Sequence, residues 1–242
     1  MLQEILEKGL PNGLAGNCNG QNEEQLIKFV LEMYARSYFS FLTFFTELPA
    51  LIQPMHLILP YENWLKYYDS SSDEFSPFYG KEYNLDLYSE TIYGYYIDPA
   101  WDSFGSNTLY LKILFADYEE GVVVLEFIGE WNDAIENDIM TLKRNFLEVL
   151  SAAGINKFIL IGENILNFHG SDDSYYEEWF DDVEDGWIAA VSFPEFIRNE
   201  FTKYGIDQYI NMGGTLEIEH WRTLHPMKVY ELVQQLIQRR LN

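Results

Sequence analysis

The sequence contains little cysteine and few basic residues. Cys18 is its only cysteine, so intramolecular disulfide bonds and cysteine-rich zinc clusters are excluded. The 242 residues include 15 Lys and Arg but 39 Asp and Glu, which gives a formal charge of −24 at pH 7. Because nucleic acids and anionic membranes are bound mainly through Lys and Arg, we expect neither a nucleic acid nor a membrane surface to be a partner.

Long uninterrupted apolar runs are also missing. The most apolar stretch, residues 38–61, contains Glu47 and three prolines, and it therefore lacks the roughly 20 consecutive apolar residues that a membrane-spanning helix requires. The first residues, MLQEILEKGLPNG, do not follow the basic-then-apolar order of a secretion signal. Together with the single cysteine, these features favour a cytoplasmic protein.

Hydrophobic residues make up 48% of the chain and aromatic residues 17%, a composition typical of a packed globular protein. Before about residue 105 the chain is irregular and Tyr-rich, whereas strand and helix patterns alternate after it. We therefore predict a helical and Tyr-rich N-terminal region over 1–105 and a second domain over 106–242. A helix is predicted from Glu23 to about Leu48, and its aromatic residues would pack against the rest of the protein or against a second copy in a homodimer.

Strand and helix patterns recur along the chain. Residues 83–87 and 92–97 are predicted to form a hairpin or edge ribbon. Later strands are predicted at 109–115, 122–128, 158–161, 187–191 and 215–221. Helices are predicted to begin near Asp133, Ser174, Ser192 and Pro226; the first three positions are followed by Glu at capping-box spacing, and the first helix would bury Ile135. The order β-β-α-β-α-β-α-β-α predicts an α/β fold with a mixed or mostly parallel sheet covered by helices.

Three stretches within about 108–210 share a family pattern: GVVVLEFIGEWNDAIENDI (121–139), GINKFILIGENILNFHGSDDS (154–174) and WIAAVSFPEFIRNEFTKYGIDQYI (187–210). Together they resemble a STAS domain, the module found in anti-sigma-factor antagonists and at the ends of sulphate transporters. They are similar to the strand and helix opening of the family, to its central strand and Asp-Ser loop, and to its next strand and Pro-initiated helix. The resemblance implies a STAS-like fold.

The resemblance also implies a regulatory site. In the family, a partner kinase phosphorylates the serine of the Asp-Ser loop and thereby switches protein binding. The matching position is Ser174, after Asp173, with Ser171 as the second choice. The sequence departs from the family where Tyr175-Tyr176-Glu177-Glu178 replace small residues, so a docking kinase would meet bulk and like charge. The interpretation that we prefer is that Ser174 is a helix N-cap.

Acidic residues are concentrated in two stretches. Residues 113–142 and 172–185 each contain eight acids and neither Lys nor Arg. We predict that the two stretches form one surface that binds a basic protein partner. The residues expected to contact that partner are Asp172, Asp173, Glu177, Glu178, Asp181 and Asp182. The alternative is that these acids only keep an aromatic-rich protein soluble.

Catalytic and metal-binding patterns are sparse. His169 follows a predicted strand and lies near Asp172 in sequence, which makes it the candidate catalytic base of a hydrolase, but G-x-S-x-G is absent. Glu217 and Glu219 would share one face of a strand while His220 faces away, so no metal site is predicted, and no cofactor. The preferred interpretation is a non-enzymatic regulatory or binding protein. The alternatives are an acidic inhibitor or immunity-type protein that binds a basic enzyme, and a hydrolase centred on His169.

Overall fold

The computed structural model describes residues 58–88 and 90–241. The predicted helix from Glu23 to about Leu48 lies outside the described residues. Residues 58–241 belong to one unit of the chain, His56–Asn242. The domain boundary near residue 105 stays a prediction.

Alternating apolar residues form the sheet as predicted. Its strands are β3 (Leu109–Asp117), β4 (Val122–Asn132), β5 (Lys157–His169) and β6 (Trp187–Val191), and a separate ribbon consists of β1 (Thr91–Ile92) and β2 (Tyr95–Tyr96). The sheet order is β3-β4-β5-β6. β3 and β4 are antiparallel, whereas β4, β5 and β6 run parallel. The predicted α/β fold with a mixed sheet is therefore confirmed.

The pairing of β5 with β4 is irregular. The register shifts twice, between the partners of Glu126 and Ile128 and between those of Gly129 and Glu130. As a result the 13 residues of β5 lie beside the 11 residues of β4. Such bulges bend a strand and redirect its side chains.

Helices cover the sheet. They are α1 (Asp138–Leu142), a π-helical turn (Lys143–Leu147), α2 (Glu148–Ala152), α3 (Ser174–Asp182), α4 (Glu195–Lys203) and α5 (Pro226–Leu241), with 3₁₀ turns at Ile206–Gln208, Gly214–Leu216 and Trp221–Thr223. Within 58–88 and 90–241, no helix has the length and apolar character needed to cross a membrane.

Each face of the sheet has its own apolar core. On one face, Leu125 and Leu160 pack with residues of α1 to α4. On the other face, Val124 and Ile161 pack with Trp221 and with residues of α5. Both faces of β4 and β5 are thus covered, which explains why these strands read as nearly continuous apolar runs.

Residues 58–105 are mostly irregular and pack on the sheet. Ile92, Ile97 and Trp101 form a third cluster with Tyr110 and Ile128 of the sheet. The predicted ribbon is confirmed only over β1 and β2. The predicted strand at 83–87 is wrong, because this segment consists of turns and unpaired backbone.

The first helix after β4 begins five residues later than predicted. The carboxylate of Asp133 does not cap that helix at the predicted position; it accepts hydrogen bonds from Trp131 Nε1 at 3.0 Å and from the backbone N of Ile139 at 2.9 Å. Asn137, with φ of 54°, precedes α1 in the left-handed conformation. Ile135 consequently lies outside the helix and is 81% exposed.

Two further predictions of local structure are wrong. The N-cap of α4 is Pro194 rather than Ser192, and the Ser192 hydroxyl instead donates to Ile218 O at 3.3 Å. Residues 215–221 do not form a strand, since Gly213 and Gly214 both have positive φ and start a 3₁₀ turn. Glu217 in this segment accepts a hydrogen bond from Arg198 at 2.6 Å.

Candidate protein-binding site at the strand ends

The carboxyl ends of β4 and β5 lie side by side. Asn132 pairs with His169, and the backbone N of Asp133 and of Ala134 donate to His169 O at 2.8 and 3.0 Å. The loop over 133–137 therefore starts beside the loop over 170–173. Loops at the carboxyl ends of parallel strands are where α/β proteins commonly place functional groups.

Asp133 joins the loop after β4 to α3. Its Oδ2 accepts a 2.6 Å hydrogen bond from the hydroxyl of Tyr176, and both side chains are buried. Burial raises the pKa of Asp133 to about 7, although the hydrogen bonds from Tyr176 and Ile139 act in the opposite direction. Burial also raises the pKa of Tyr176. The first turn of α3 is thus fixed to the end of β4 by a buried phenol and a buried carboxyl group.

A second buried carboxyl group lies at the start of α1. Oδ2 of Asp138 accepts the backbone N of Asn132 at 2.7 Å, and its Oδ1 has no hydrogen-bond partner among the described residues. Burial raises the pKa of Asp138. The negative charge of Asp138 also disfavours ionisation of Asp133. The interior of this site is therefore poorly suited to two ionised carboxylates at once.

The imidazole of His169 lies next to a carboxylate, but no hydroxyl that could serve as a nucleophile is bonded to it among the described residues. Its Nε2 lies 3.4 Å from Glu130 Oε1 and 2.9 Å from Asn167 Nδ2. The hydroxyl of Ser174, one of the two serines considered as nucleophile, donates to Asp172 instead. Within 58–88 and 90–241, no serine hydroxyl is hydrogen-bonded to His169.

Ser171 and Ser174 are both exposed. Ser174 is the first residue of α3, and the N-cap is Asp173, without a side-chain capping bond. The backbone N of Ser174 donates to Asp172 Oδ1 at 3.1 Å. The hydroxyl of Ser174 donates to the same oxygen. These two hydrogen bonds lower the pKa of Asp172. The N-cap interpretation of Ser174 is therefore wrong, because Asp173 is the N-cap and the Ser174 hydroxyl donates to Asp172 instead of accepting from a backbone N–H of the helix.

The acids predicted to contact a partner divide into two groups. Glu178 and Asp182 lie 3.0 and 2.6 Å from Nζ of the buried Lys143. Burial alone would lower the pKa of Lys143, but hydrogen bonds to these carboxylates raise it overall. Arg144 adds a contact of 2.9 Å to Glu178. One side of α3 is thus neutralised by cations of the π-helical turn.

The second group remains available to solvent. Asp172, Glu177 and Asp181 are exposed, and no cation within the described part of the chain forms an ion pair with them. Asp173 accepts a hydrogen bond from the hydroxyl of Tyr209 at 3.2 Å. Beside this group lie the exposed hydroxyls of Ser171 and Ser174. The exposed negative charge therefore lies on the loop before α3 and on one face of the helix.

The first acidic stretch contributes less to the surface than predicted. Four of its eight acids are buried, namely Glu126, Glu130, Asp133 and Asp138. Two of them lie in β4, Asp133 follows that strand and Asp138 begins α1, and each accepts a hydrogen bond inside the protein. The prediction that both stretches form one continuous acidic surface is therefore wrong for these four residues.

The sequence did not indicate that Lys143 and Arg144 form ion pairs with the acids of α3. Lys143 and Arg144 come directly after the first acidic stretch, and the π-helical turn directs them toward α3. Single π turns in helices are often found at functional sites. Three cavities of about 490, 420 and 290 Å³ are lined by none of the predicted site residues.

The described residues form an α/β fold with a mixed four-stranded sheet and helices on both faces. Among solved structures, the Bacillus cell fate determinant SpoIIAA in its phosphorylated form is similar, with 11% identity, a TM-score of 0.30, and coverage of 43% of this chain and 91% of its own. The anti-sigma factor antagonist SpoIIAA in its unphosphorylated form has 12% identity, a TM-score of 0.33, and coverage of 48% and 98%.

No family model matches the chain, and the search of curated proteins found no match. The predicted resemblance to anti-sigma-factor antagonists is confirmed as a weak likeness of fold.

Proposed function

We propose that this protein is a cytoplasmic, non-enzymatic regulatory protein that binds a basic protein partner through α3 and the loop before it. The observation that carries the proposal is the arrangement around α3. Its buried face is fixed by Tyr176 and Asp133, while Asp172, Glu177 and Asp181 face solvent without a cation partner among the described residues. Such a rigid acidic surface attracts and orients a basic partner.

An exposed apolar side chain supports the same surface. Ile135 is 81% exposed in the loop that is hydrogen-bonded to the end of β5 through Ala134 and His169. Binding energy in protein interfaces comes mainly from apolar side chains that the partner buries, whereas charges at the rim set specificity and association rate. We propose that Ile135 is covered by the partner.

The experiment is a comparison of charge-reversal variants at low salt. The double variant Glu177→Lys/Asp181→Lys should lose a basic protein that the wild-type chain captures from its native cells. The control Glu62→Lys/Glu219→Lys makes the same change of charge at two other exposed positions and should retain that protein. Equal capture by the two double variants would remove α3 as the binding surface.

Phosphorylation of Ser174 is the proposed regulation of this surface. A phosphate would add a charge of about −1.5 to −2 and would replace the hydrogen bond that the Ser174 hydroxyl donates to Asp172 with repulsion. The helix N-terminus would partly offset that repulsion. Mass spectrometry of protein from its native cells should detect phosphate on Ser174, or on Ser171. Repeated absence from both serines across growth states would exclude the switch.

The inhibitor alternative uses the same acidic surface. It differs in its consequence, because the captured basic protein would be an enzyme whose activity falls when this protein is bound. Measuring the activity of the captured protein with and without the wild-type chain, with the Glu177→Lys/Asp181→Lys variant as the non-binding control, separates the two functions.

A further inference from the structure

Two glutamates lie next to each other on the sheet face that α5 covers. Glu126 of β4 follows Val122 and Val124 on that face, and Glu163 extends from β5. Glu126 is fully buried, and Glu163 is partly exposed. Nothing in the proposed function of α3 uses these two carboxylates.

Several donors hold the two carboxylates in place. The backbone N of Tyr61 donates to Glu126 Oε2 at 2.8 Å, and Asn164 Nδ2 lies 3.4 Å from Glu126 Oε1. Trp221 Nε1 donates to Glu163 Oε1 at 2.7 Å. Each carboxylate therefore has a fixed neutral donor that is independent of any cation.

The guanidinium of Arg222 binds one oxygen of each carboxylate. Its Nη2 lies 3.2 Å from Glu126 Oε1, and its Nη1 donates to Glu163 Oε2. Cζ of Arg222 lies 4.5 Å from the ring centroid of Trp221 and 5.8 Å from that of Tyr61. A fork of two carboxylates beside aromatic rings matches the planar, delocalised charge of a guanidinium better than a compact ammonium.

The rings form a rigid wall. Tyr61, Trp64 and Trp221 contact one another edge to face, with centroids 5.0 to 5.5 Å apart. Trp64 Nε1 donates to Leu224 O at 3.0 Å, and this bond anchors the wall to the chain after the 3₁₀ turn. The hydroxyl of Tyr61 also donates to the backbone O of Arg222, so none of these contacts requires the Arg222 side chain.

Arg222 lies at the surface beside these groups. It belongs to the three-residue 3₁₀ turn Trp221–Thr223, between the buried Trp221 and the exposed Thr223. Its side chain is 40% exposed, although Glu126 beneath it is buried. The guanidinium thus lies between solvent and the buried carboxylate of Glu126.

We propose that Glu126, Glu163, Tyr61 and Trp221 form a guanidinium-binding site that Arg222 occupies in cis, and that an arginine side chain of a partner protein takes its place. The site lies on a different face of the sheet from Ser174 and does not depend on the proposed function. Because the tethered Arg222 competes at a high effective concentration, the wild-type chain binds a second guanidinium weakly.

The test empties the site and fills it again with a small molecule. The melting temperature of Arg222→Ala is measured with and without 10 mM ethylguanidinium chloride, and sodium chloride keeps the ionic strength constant. With a Kd of about 1 mM, the melting temperature should rise by about 3 °C. The wild-type chain should show less than about a third of that rise. Ethylammonium, which lacks the planar fork, should have no comparable effect on either chain.

A second variant tests the residues that form the site. In Arg222→Ala/Glu163→Gln the rise should disappear, because one arm of the fork has lost its charge. N-acetyl-arginine amide in place of ethylguanidinium tests the arginine source, and N-acetyl-lysine amide is its control. A rise with ethylguanidinium alone would assign the site to small guanidino compounds and overturn the proposed protein arginine.

The proposal is overturned if folded Arg222→Ala shows no rise, or if ethylammonium raises the melting temperature equally. Circular dichroism establishes that the variant is folded. Should Arg222→Ala fail to fold, Arg222→Lys retains a cation at the carboxylates and is tested in the same way. A melting temperature of that variant that does not respond selectively to ethylguanidinium would also overturn the proposal.

Discussion

The hydroxyl of Tyr176 in α3 donates a 2.6 Å hydrogen bond to the carboxyl group of Asp133 at the end of β4. The two residues are far apart in sequence, and both are buried. This bond places the start of α3 against the sheet and therefore determines where the exposed serines and acids of the proposed binding surface lie.

Tyr176→Phe should lower the free energy of unfolding by about 2 kcal/mol, because it removes one donor from a buried carboxyl group. The measurement is chemical denaturation of the full chain. Tyr175→Phe is the control, since it makes the same chemical change one residue earlier, at a side chain that is only partly buried. Equal free energies for the two variants would show that the Asp133 contact contributes little.

Stability should also depend on pH through Glu126. Burial raises the pKa of Glu126 from 4.5 to about 7, with a further increase from Glu163, whereas the Tyr61 N–H and Arg222 oppose the shift. Because this pKa is higher in the folded chain than in the unfolded chain, the contribution of Glu126 to stability is complete below pH 4.5. It is lost as the pH rises through about 7.

Glu126→Gln cannot ionise and should reduce the loss of stability between pH 5 and pH 8 by about 2 kcal/mol. Denaturation curves at several pH values measure this difference. Glu219→Gln, at an exposed glutamate, should leave the pH dependence of the wild-type chain unchanged. A Glu126→Gln curve parallel to that of the wild type would contradict the assignment.

Gly129 should tolerate no side chain. Its φ is +116°, and a Cβ atom there would lie 2.1 Å from the backbone O of Thr108. We expect Gly129→Ala to cost about 3 kcal/mol or more, since backbone must move. Gly154→Ala isolates the conformational part, because Gly154 has a φ of +98° with nothing within 4 Å of an added Cβ. Its cost should be about 1 kcal/mol.

Ile135 should matter for binding and not for folding. Ile135→Gln should change the free energy of unfolding by less than about 0.5 kcal/mol, as is usual for exposed positions, and should reduce capture of the basic partner. Ile139→Gln, at a side chain that is 1% exposed, should cost more than about 3 kcal/mol. A large loss of stability in Ile135→Gln would show that this side chain is needed for folding.

The sheet could be predicted from the sequence because its signals are local. Alternation in 109–115 and short apolar runs at 158–161 and 187–191 report directly which faces are buried. Pro226 marked the start of α5 for the same reason, since proline suits the first turn of a helix.

Three of the remaining errors have a common physical cause, because contacts between residues far apart in sequence decided them. Asp133 and Glu136 have the spacing of a capping box, but Trp131 and Tyr176 engage Asp133 instead. The sequence alone indicates that Glu126 is a surface acid, but Tyr61 and Arg222, which are distant in sequence, bind its carboxylate inside the protein. Lys143 neutralises α3 from a different helix. No pattern within a short window contains this information.

The two register shifts in β5 determine where this strand ends relative to β4, and so where the loop of the proposed binding surface begins. β5 uses 13 residues where β4 uses 11, so the extra length is absorbed inside the sheet and both strands finish level at Asn132 and His169. Removing one bulge residue would draw His169 back by about 3.3 Å, the rise of one strand residue. The backbone bonds from Asp133 and Ala134 would then lose their acceptor. The two bulges in β5 therefore keep the end of this strand level with the end of β4, so that the loops after the two strands start side by side.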